Sequence, residues 1–244
     1  EGSDAVYNLT RLQEMRPSLP QRVSIIGIMR DLKPIEKLDD SAKSTLQRNI
    51  LRLEKYSRDQ LVDILNERIS VAFEPCAVSE DTVNLTADLA YTETGHARFA
   101  IELLWRAGKY ADAEDSEEVT PECVRKAISS IIPIVQKSDL TNLGKNETLF
   151  LLATAELFKE STEAYIKLID IEQQYQIVCE EFNTEPVSHT QLWKYVQYLD
   201  ALGILKTQVS IASKRGRSTL ISLPSVSAKE LTNELRIIIE RNSR

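Results

Sequence analysis

The residues of this 244-residue chain best suited to chemistry are three cations, Lys214, Arg215 and Arg217, clustered around Gly216 between two β-rich runs. Within residues 186–224, five cations oppose one acid, a net charge of +4 in a chain whose total is -7, so the remainder carries -11. Lysine and arginine neutralise phosphates, and glycine permits close backbone approach. The pattern predicts a basic hairpin tip that contacts duplex DNA; the alternative is a charged hairpin that protects a sheet edge.

A second group of candidate residues lies about twenty positions before this tip, in a segment predicted to be a helix from His189 to Leu202 that ends at Gly203. Its predicted inward stripe consists of Leu192, Val196, Leu199 and Leu202. In a helix-turn-helix unit the second helix enters the major groove. Glutamine and threonine can hydrogen-bond base edges, whereas lysine and tyrosine can reach bases or phosphates. The predicted DNA-binding residues are therefore Thr190, Gln191, Lys194, Tyr195, Lys214, Arg215, Gly216 and Arg217.

Each of these residues also has a simpler interpretation. Lys194 alone could be a solvated surface lysine, and Trp193 is more typical of interhelix packing than of base stacking. Tyr198 also falls outside the inward stripe. The joint occurrence of a polar helix face and a basic hairpin in one short module favours DNA binding, although winged helices also serve as protein-binding modules.

The elements that must position these residues follow a winged-helix order. Apolar periodicity predicts helices over 146–159, 162–182 and 189–202, two strands over 204–211 and 218–223, and a last helix over 228–241. In the predicted helix 162–182, Tyr165, Leu168, Ile169, Tyr175 and Val178 should point inward.

The preceding part of the chain predicts a small helical bundle. Four amphipathic helices start at Ser57, at Ser79, after Gly95 and at Thr120–Pro121, with a capping box at Ser57 and Gln60. Further upstream, 4–16 should be helical. The apolar run 22–29 predicts a buried strand of a parallel sheet whose partner strands lie elsewhere. The predicted fold class is mainly α, with a partial α/β remnant, a helical bundle and a C-terminal winged helix.

Composition excludes several classes of function. No apolar run approaches the roughly 20 residues that span a bilayer, and the first residues lack the features of a signal peptide. Three scattered cysteines and two histidines predict neither disulfides, nor a metal site, nor a catalytic constellation. We therefore expect a soluble intracellular protein that does not contact membranes and has no catalytic residues of its own.

Five segments carry a resemblance to a known family when taken in order: 7–11, 23–28, 95–98, 199–204 and 214–219. Together they resemble the archaeal initiators of the origin-recognition-complex type, which are members of the AAA+ ATPase superfamily. Residues 7–11 (YNLTR) are similar to the helix after the Walker B acids, and 23–28 (VSIIGI) to the sensor-1 strand. Residues 95–98 (GHAR) resemble the start of the sensor-2 helix of the lid. Residues 199–204 (LDALGI) and 214–219 (KRGRST) resemble the end of the recognition helix and the wing.

This resemblance implies ATP-dependent binding to origin DNA, help in loading the replicative helicase, contacts with other initiator subunits, and a nucleoid-associated place in the cytoplasm. It implies ATP or ADP with Mg²⁺ as cofactors of the parent ATPase. Arg98 would be the sensor-2 arginine, and Arg30 stands at the sensor-1 position, where the family usually has Asn. The implied domains are 1–55, the end of the ATPase core; 56–135, the lid; and 136–244, the winged helix.

The chain also departs from the family pattern. It contains no G-x-x-x-x-G-K-[ST] and no Walker B run, and Ser41 follows Leu38-Asp39-Asp40 where the family commonly has a basic residue. We therefore expect the chain to begin inside the ATPase domain and not to hydrolyse or tightly bind ATP alone. Two other classes remain open: a winged-helix transcription regulator with a helical effector domain, and an interaction scaffold that never touches DNA.

Overall fold

Two units make up the computed structural model, Glu1–Glu54 and Lys55–Arg244. The described residues are 8–9, 26–30, 33–36, 38, 40, 43, 50–132, 137–210, 218–224 and 226–242. None of the helices in these ranges combines the length and apolar character needed to cross a membrane.

The first unit contains the segment predicted to be a buried strand, and that prediction is wrong for the part described. Residues 26–29 form no strand, and the side chains of Ile26 and Ile28 are 88% and 95% exposed. A buried strand needs hydrogen-bonding neighbours on adjacent strands. The described residues of this unit supply none, so its apolar residues have no sheet in which to be buried.

Short helical segments account for much of the rest of what is described in this unit. Asn8 and Leu9 are helical, as predicted, and the other residues of the predicted helix 4–16 lie outside the described part. Helix α1 is the single turn Lys33–Glu36. Ile35 within it is buried.

The second unit begins with a four-helix bundle whose helix starts were predicted correctly. Its helices are α2 (Arg58–Ala72), α3 (Glu80–Glu93), α4 (Ala97–Ala113) and α5 (Pro121–Ile131). Ser57 and Gln60 form the reciprocal capping box, and the Ser79 hydroxyl accepts the backbone N–H of Thr82. Thr120 occupies the N-cap of α5, with Pro121 at its first position.

The bundle core is built from the apolar stripes of these four helices. Leucines at helical spacing and small alanines pack between them at essentially zero exposure. This core includes Leu61, Leu65, Leu85, Leu103, Leu104, Ala107, Val124 and Ile128.

The winged-helix region follows. It consists of α6 (Lys137–Thr141), α7 (Lys145–Glu160), β1 (Ile166–Lys167), α8 (Leu168–Glu181), α9 (His189–Ala201), β2 (Lys206–Ser210), β3 (Ser218–Ser222) and α10 (Ala228–Asn242). The strands form one antiparallel sheet in the order β1-β3-β2. The predicted hairpin and last helix are therefore confirmed to within about two residues at their described ends.

The predicted helix 162–182 is wrong in its first third, since α8 begins only at Leu168. Ile166 and Lys167 instead pair with Ile221 and Leu220 of β3. A strand 55 residues further along the chain supplies this pairing, and local periodicity carries no information about it. Ile169, predicted to point inward, is 55% exposed.

Helix α7 runs through the middle of the winged-helix core. Residues 148–155 of α7 are all buried, and α8, α9 and α10 each contact this helix. The predicted inward stripe of α9 is confirmed for Leu192, Val196 and Leu199, which are at most 4% exposed. Leu202, at the C-cap of α9, is 36% exposed and does not belong to it.

Candidate nucleic-acid interface

Helix α9 is held rigidly at its C-terminus by the glycine that the sequence predicted as its cap. Gly203 has φ +72° and donates its N–H to the Asp200 carbonyl at 2.9 Å, while Ile204 donates to the Leu199 carbonyl at 3.0 Å. This pair of bonds is a Schellman motif. Because Ile204 is buried beyond it, the chain turns directly from α9 into the hairpin.

The N-terminus of α9 is tied to the preceding helix. His189 Nδ1 lies 2.5 Å from Glu172 Oε1 of α8, and the Ser188 carbonyl accepts the backbone N–H of Leu192 at 3.0 Å. Leu192 is buried one turn into the helix. Helices α8 and α9 are thus joined at the point where a helix-turn-helix unit needs a fixed crossing.

One face of α9 is exposed along its whole length. Thr190, Lys194, Gln197 and Ala201 recur at intervals of four, three and four residues and are all exposed. Trp193 and Tyr198 flank them at 37% and 44% exposure. We call these six residues the exposed face of α9. It offers one cation, two neutral hydrogen-bonding side chains and two aromatic rings.

The electrostatics of this face suit a polyanion. Asp200 is the only acid in α9, and it is turned toward the hairpin, where the Thr207 hydroxyl donates to it at 2.6 Å. No carboxylate of the described residues forms an ion pair with Lys194. The cation is therefore free to neutralise an external phosphate.

The four predicted residues of α9 do not all lie on this face. Thr190 and Lys194 do, whereas Gln191 and Tyr195 are half-buried at its border with the core. Tyr195 packs against the winged-helix core. The ring is therefore used in packing, and only the part of the Tyr195 side chain that remains exposed could contact a base edge.

The basic cluster of the hairpin lies outside the described residues. Lys214, Arg215, Gly216 and Arg217 belong to residues 211–217, which follow Ser210 and precede Ser218. Ser210 and Ser218 are register partners in the β2–β3 ladder. At the other end of β2, Lys206 is exposed and faces Ser222 of β3.

Four residues of the exposed face are not among the predicted DNA-binding residues: Trp193, Gln197, Tyr198 and Ala201. Trp193 follows Thr190 by three residues, and Gln197, Tyr198 and Ala201 follow Lys194 by three, four and seven. Extending the polar stripe by helical spacing would have included them.

The two residues predicted to approach a nucleotide are both exposed. Arg98 is the second residue of α4, whose N-cap His96 makes no side-chain capping bond. No ion pair to Arg98 occurs within the described residues, so its guanidinium is available to a phosphate. Arg30 is exposed in the first unit.

Two family models match the chain, each over one of the two regions of the second unit. The first, described as a Cdc6 AAA+ ATPase-type lid domain, matches residues 62–129, which contain most of the four-helix bundle. The second, described as the C-terminal winged-helix domain of CDC6, matches residues 138–234. The predicted mainly α fold with a lid and a winged helix is thereby confirmed.

Similar proteins carry names from one family. The chain is 33% identical over 235 residues to ORC1-type DNA replication protein 2 of Sulfurisphaera tokodaii, covering 93% of this chain and 56% of that protein. It is 32% identical over 236 residues to the ORC1-type DNA replication protein of Pyrococcus furiosus, covering 96% of this chain and 55% of that protein. The chain thus spans little more than half the length of these relatives.

A solved structure agrees with the sequence comparisons. The crystal structure of Cdc6p from Pyrobaculum aerophilum superposes with a TM-score of 0.82 at 28% identity, covering 99% of this chain and 64% of that one. The fold of this chain is therefore shared with that protein. The chain therefore contains a Cdc6 AAA+ ATPase-type lid domain and a Cdc6-type C-terminal winged-helix domain, and its relatives are archaeal ORC1-type DNA replication proteins.

Proposed function

We propose that this chain binds duplex DNA at replication origins, with the exposed face of α9 in the major groove and the 214–217 cluster on the phosphate backbone. The observation that carries the proposal is the exposed face itself, in which Lys194 stands without an acid among the described residues. Thr190 and Gln197 can bond base edges, and Gln191 and Tyr195 reach the groove from the border of this face.

Support for the replication context comes from the relatives, which are named ORC1-type DNA replication proteins. On that basis we propose that the chain works as part of an initiator that helps to load the replicative helicase beside other initiator subunits. We also propose the domain limits 1–55, 56–135 and 136–244, with the first part belonging to an ATPase core.

We propose that Arg98 contacts a nucleotide only in a protein that also contains a P-loop. The exposed guanidinium of Arg98, in the first turn of α4, fits the role of a lid residue that offsets phosphate charge. Arg30 stands at the sensor-1 position of the proposed ATPase core. The sequence has no Walker A or Walker B motif. These 244 residues should therefore bind ATP or ADP with Mg²⁺ weakly and should not hydrolyse ATP.

The direct test is fluorescence anisotropy of the 244-residue chain with labelled duplexes, one origin-derived and one of shuffled sequence, at two salt concentrations. We expect both to bind, the origin duplex more tightly, with log affinity falling by about 0.9 per phosphate contact for each decade of salt. Absence of binding at low salt would overturn the DNA proposal. Equal affinity for the two duplexes would overturn the origin proposal alone.

The alternative of a winged-helix transcription regulator would use the same exposed face of α9. It leaves the match of residues 62–129 to an ATPase-type lid unexplained. A preference for promoter over origin duplex in the same assay would favour it.

A further inference from the structure

A buried arginine of the lid bundle reaches into the winged-helix region. Arg125, in the first turns of α5, is fully buried, and its Nε donates to the Leu223 carbonyl at 3.1 Å. Its Nη2 donates to the carbonyls of Glu163 and Ala164, each at 3.3 Å. All three carbonyls lie beside the sheet: two just before β1, and Leu223 immediately after β3.

The remaining sides of this guanidinium are also occupied. Its central carbon lies 4.6 Å from the centroid of the Phe158 ring of α7, a cation–π contact. Nη1 lies 3.4 Å from Glu122 Oε2, one turn earlier in α5. Burial lowers the pKa of Arg125 and the charge of Glu122 opposes this shift. The planar fork is thus held by acceptor oxygens at its edge and by an aromatic ring on its face.

Glu122 contacts the winged-helix region in its own right. Its Oε1 accepts the Ser227 hydroxyl at 2.6 Å, and its Oε2 accepts the backbone N–H of Ala228 at 3.2 Å. Ala228 is the first residue of α10, so a lid carboxylate satisfies an otherwise unpaired amide at that helix start. One turn of α5 therefore engages both the end of β3 and the start of α10.

A second contact ties the bundle to the hairpin. Asp88 of α3 accepts hydrogen bonds from Gln208 Nε2 of β2 at 3.0 Å and from the Tyr165 hydroxyl just before β1. Arg58 of α2 holds the same carboxylate at 2.5 Å. Burial and the neighbouring Asp88 raise the pKa of Tyr165, which keeps its hydroxyl protonated as a donor.

The contact of Gln208 with Asp88 lies on the face of the sheet opposite the winged-helix core. Ile166 and Ile221 are register partners buried in the winged-helix core, so the neighbouring positions Gln208 and Ser222 point to the opposite face. Ser222 is nevertheless 3% exposed. On this second face, Lys206 and Gln208 remain exposed, and the bond from Gln208 to Asp88 attaches β2 to the bundle.

We propose that Glu122 and Arg125, assisted by Asp88, form a clasp that holds the lid bundle and the winged-helix region as one rigid body, with Arg125 as the positioning residue for the hairpin. Arg125 contacts the chain at the end of β3, Asp88 contacts β2 through Gln208, and Glu122 contacts the start of α10. Any movement of the lid is then transmitted to the hairpin. The relevance of the clasp to DNA binding rests on the proposed function, whereas the rigidity of the junction does not depend on it.

The test is the distance distribution between a spin label on Cys76, the exposed cysteine of the bundle, and one on α8 in a Gln176→Cys variant of the 244-residue chain. The other two cysteines are buried. Pulsed EPR without DNA should give one narrow peak for the parent. Arg125→Met should broaden or shift it, because the carbonyls of Leu223, Glu163 and Ala164 no longer share a donor.

The matched control is Arg106→Met, which removes a guanidinium from α4 whose ion-pair partner, Glu102, lies on the same helix. It should leave the peak unchanged. Arg125→Lys keeps the charge without the planar fork and should broaden the peak partially. This variant also serves if Arg125→Met does not fold, as judged by circular dichroism.

Two results would overturn the clasp: a broad distribution in the parent, or an unchanged narrow peak in both Arg125 variants that fold. A Gln208→Ala variant removes the hairpin contact to Asp88 from an exposed position and should broaden the peak less than Arg125→Lys does. Because no DNA is present, failure of DNA binding leaves this result intact. Conversely, a flexible junction would not contradict DNA binding by α9.

Discussion

Lys194 and Arg125 are both cations on amphipathic helices, and the structure uses them in opposite ways. Lys194 stands on the exposed face of α9 with no ion pair among the described residues, whereas Arg125 is fully buried between the lid bundle and the winged-helix region. The ammonium group of Lys194 stays hydrated until a polyanion binds. Arg125 has already exchanged water for three carbonyls and a carboxylate.

The difference determines what each residue contributes. An exposed cation adds almost nothing to stability, because water screens it, but it contributes to binding through counterion release. A buried and fully paired cation contributes geometric specificity, and removing it leaves several polar groups unpaired in a site closed to water. Substitutions at the two kinds of position should therefore change different measured quantities.

The largest effect is expected from Arg125→Met. The substitution removes the ion pair with Glu122 and leaves three carbonyls without the donor that they share, so the free energy of unfolding should fall by roughly 3–5 kcal/mol. Urea denaturation of the 244-residue chain measures the change. The control Arg106→Met should stay close to the parent. A decrease no larger than that of the control would mean that water replaces the guanidinium and that the junction is not closed.

Next in size is replacement of Lys214, Arg215 and Arg217 by Ala. Affinity for every duplex should fall, and the salt slope should flatten by about 0.9 for each phosphate that the variant no longer neutralises. The charge-matched control replaces three cations that are exposed elsewhere, Arg68, Lys109 and Lys159. If both triple variants weaken binding equally, net charge rather than the hairpin carries the binding. Unfolding free energy should hardly change in either.

An intermediate effect is expected from Gly203→Ala, which acts on the connection between α9 and β2. The left-handed backbone at φ +72° disfavours a Cβ by roughly 1–2 kcal/mol. Unfolding free energy should fall by that amount, and the EPR distance of the clasp should stay the same because neither Glu122 nor Arg125 is touched. Unchanged stability would show that the Schellman motif rearranges at no cost.

The smallest effect on the protein itself is expected from Lys194→Ala. The side chain is exposed and makes no ion pair among the described residues, so the unfolding free energy should remain within about 0.5 kcal/mol. DNA affinity should nevertheless fall, with a salt slope lower by about 0.9. Gln197→Ala is the companion variant, since it should lower the preference for the origin duplex while leaving the salt slope unchanged. Lys194→Ala with an unaltered slope would remove α9 from the interface.

Local patterns predicted the elements whose signals are themselves local. Ser57 with Gln60, Pro121 after Thr120, and Gly203 at the end of α9 were interpreted correctly because a cap depends on residues within one turn. The exposed face of α9 was found in part, since helical spacing separates it from Leu192 and Val196. Trp193, interpreted as a packing residue, lies at the edge of this face at 37% exposure.

The failures share one physical cause, which is dependence on a distant partner. Ile166 and Lys167 form a strand only because β3 lies beside them, and Ile26 and Ile28 are exposed because no described neighbour offers a sheet. Arg125 carries a local signal, a charge on the inward side of α5 next to Val124 and Ile128. Nothing in the sequence indicates which carbonyls it meets.

By itself, the sequence determined the succession of a helical bundle and a winged helix, the polar stripe of α9 and the basic cluster of the hairpin, because periodicity, capping and charge are properties of neighbouring residues. Only the tertiary structure decided that β1 joins the sheet, that the half-buried Tyr195 packs against the core, and that Glu122 and Arg125 bind the two regions together. The hydrogen bonds of Glu122 and Arg125 with the winged-helix region join groups 38 to 106 residues apart in the chain. Such distant groups meet only when the folded chain buries them against one another.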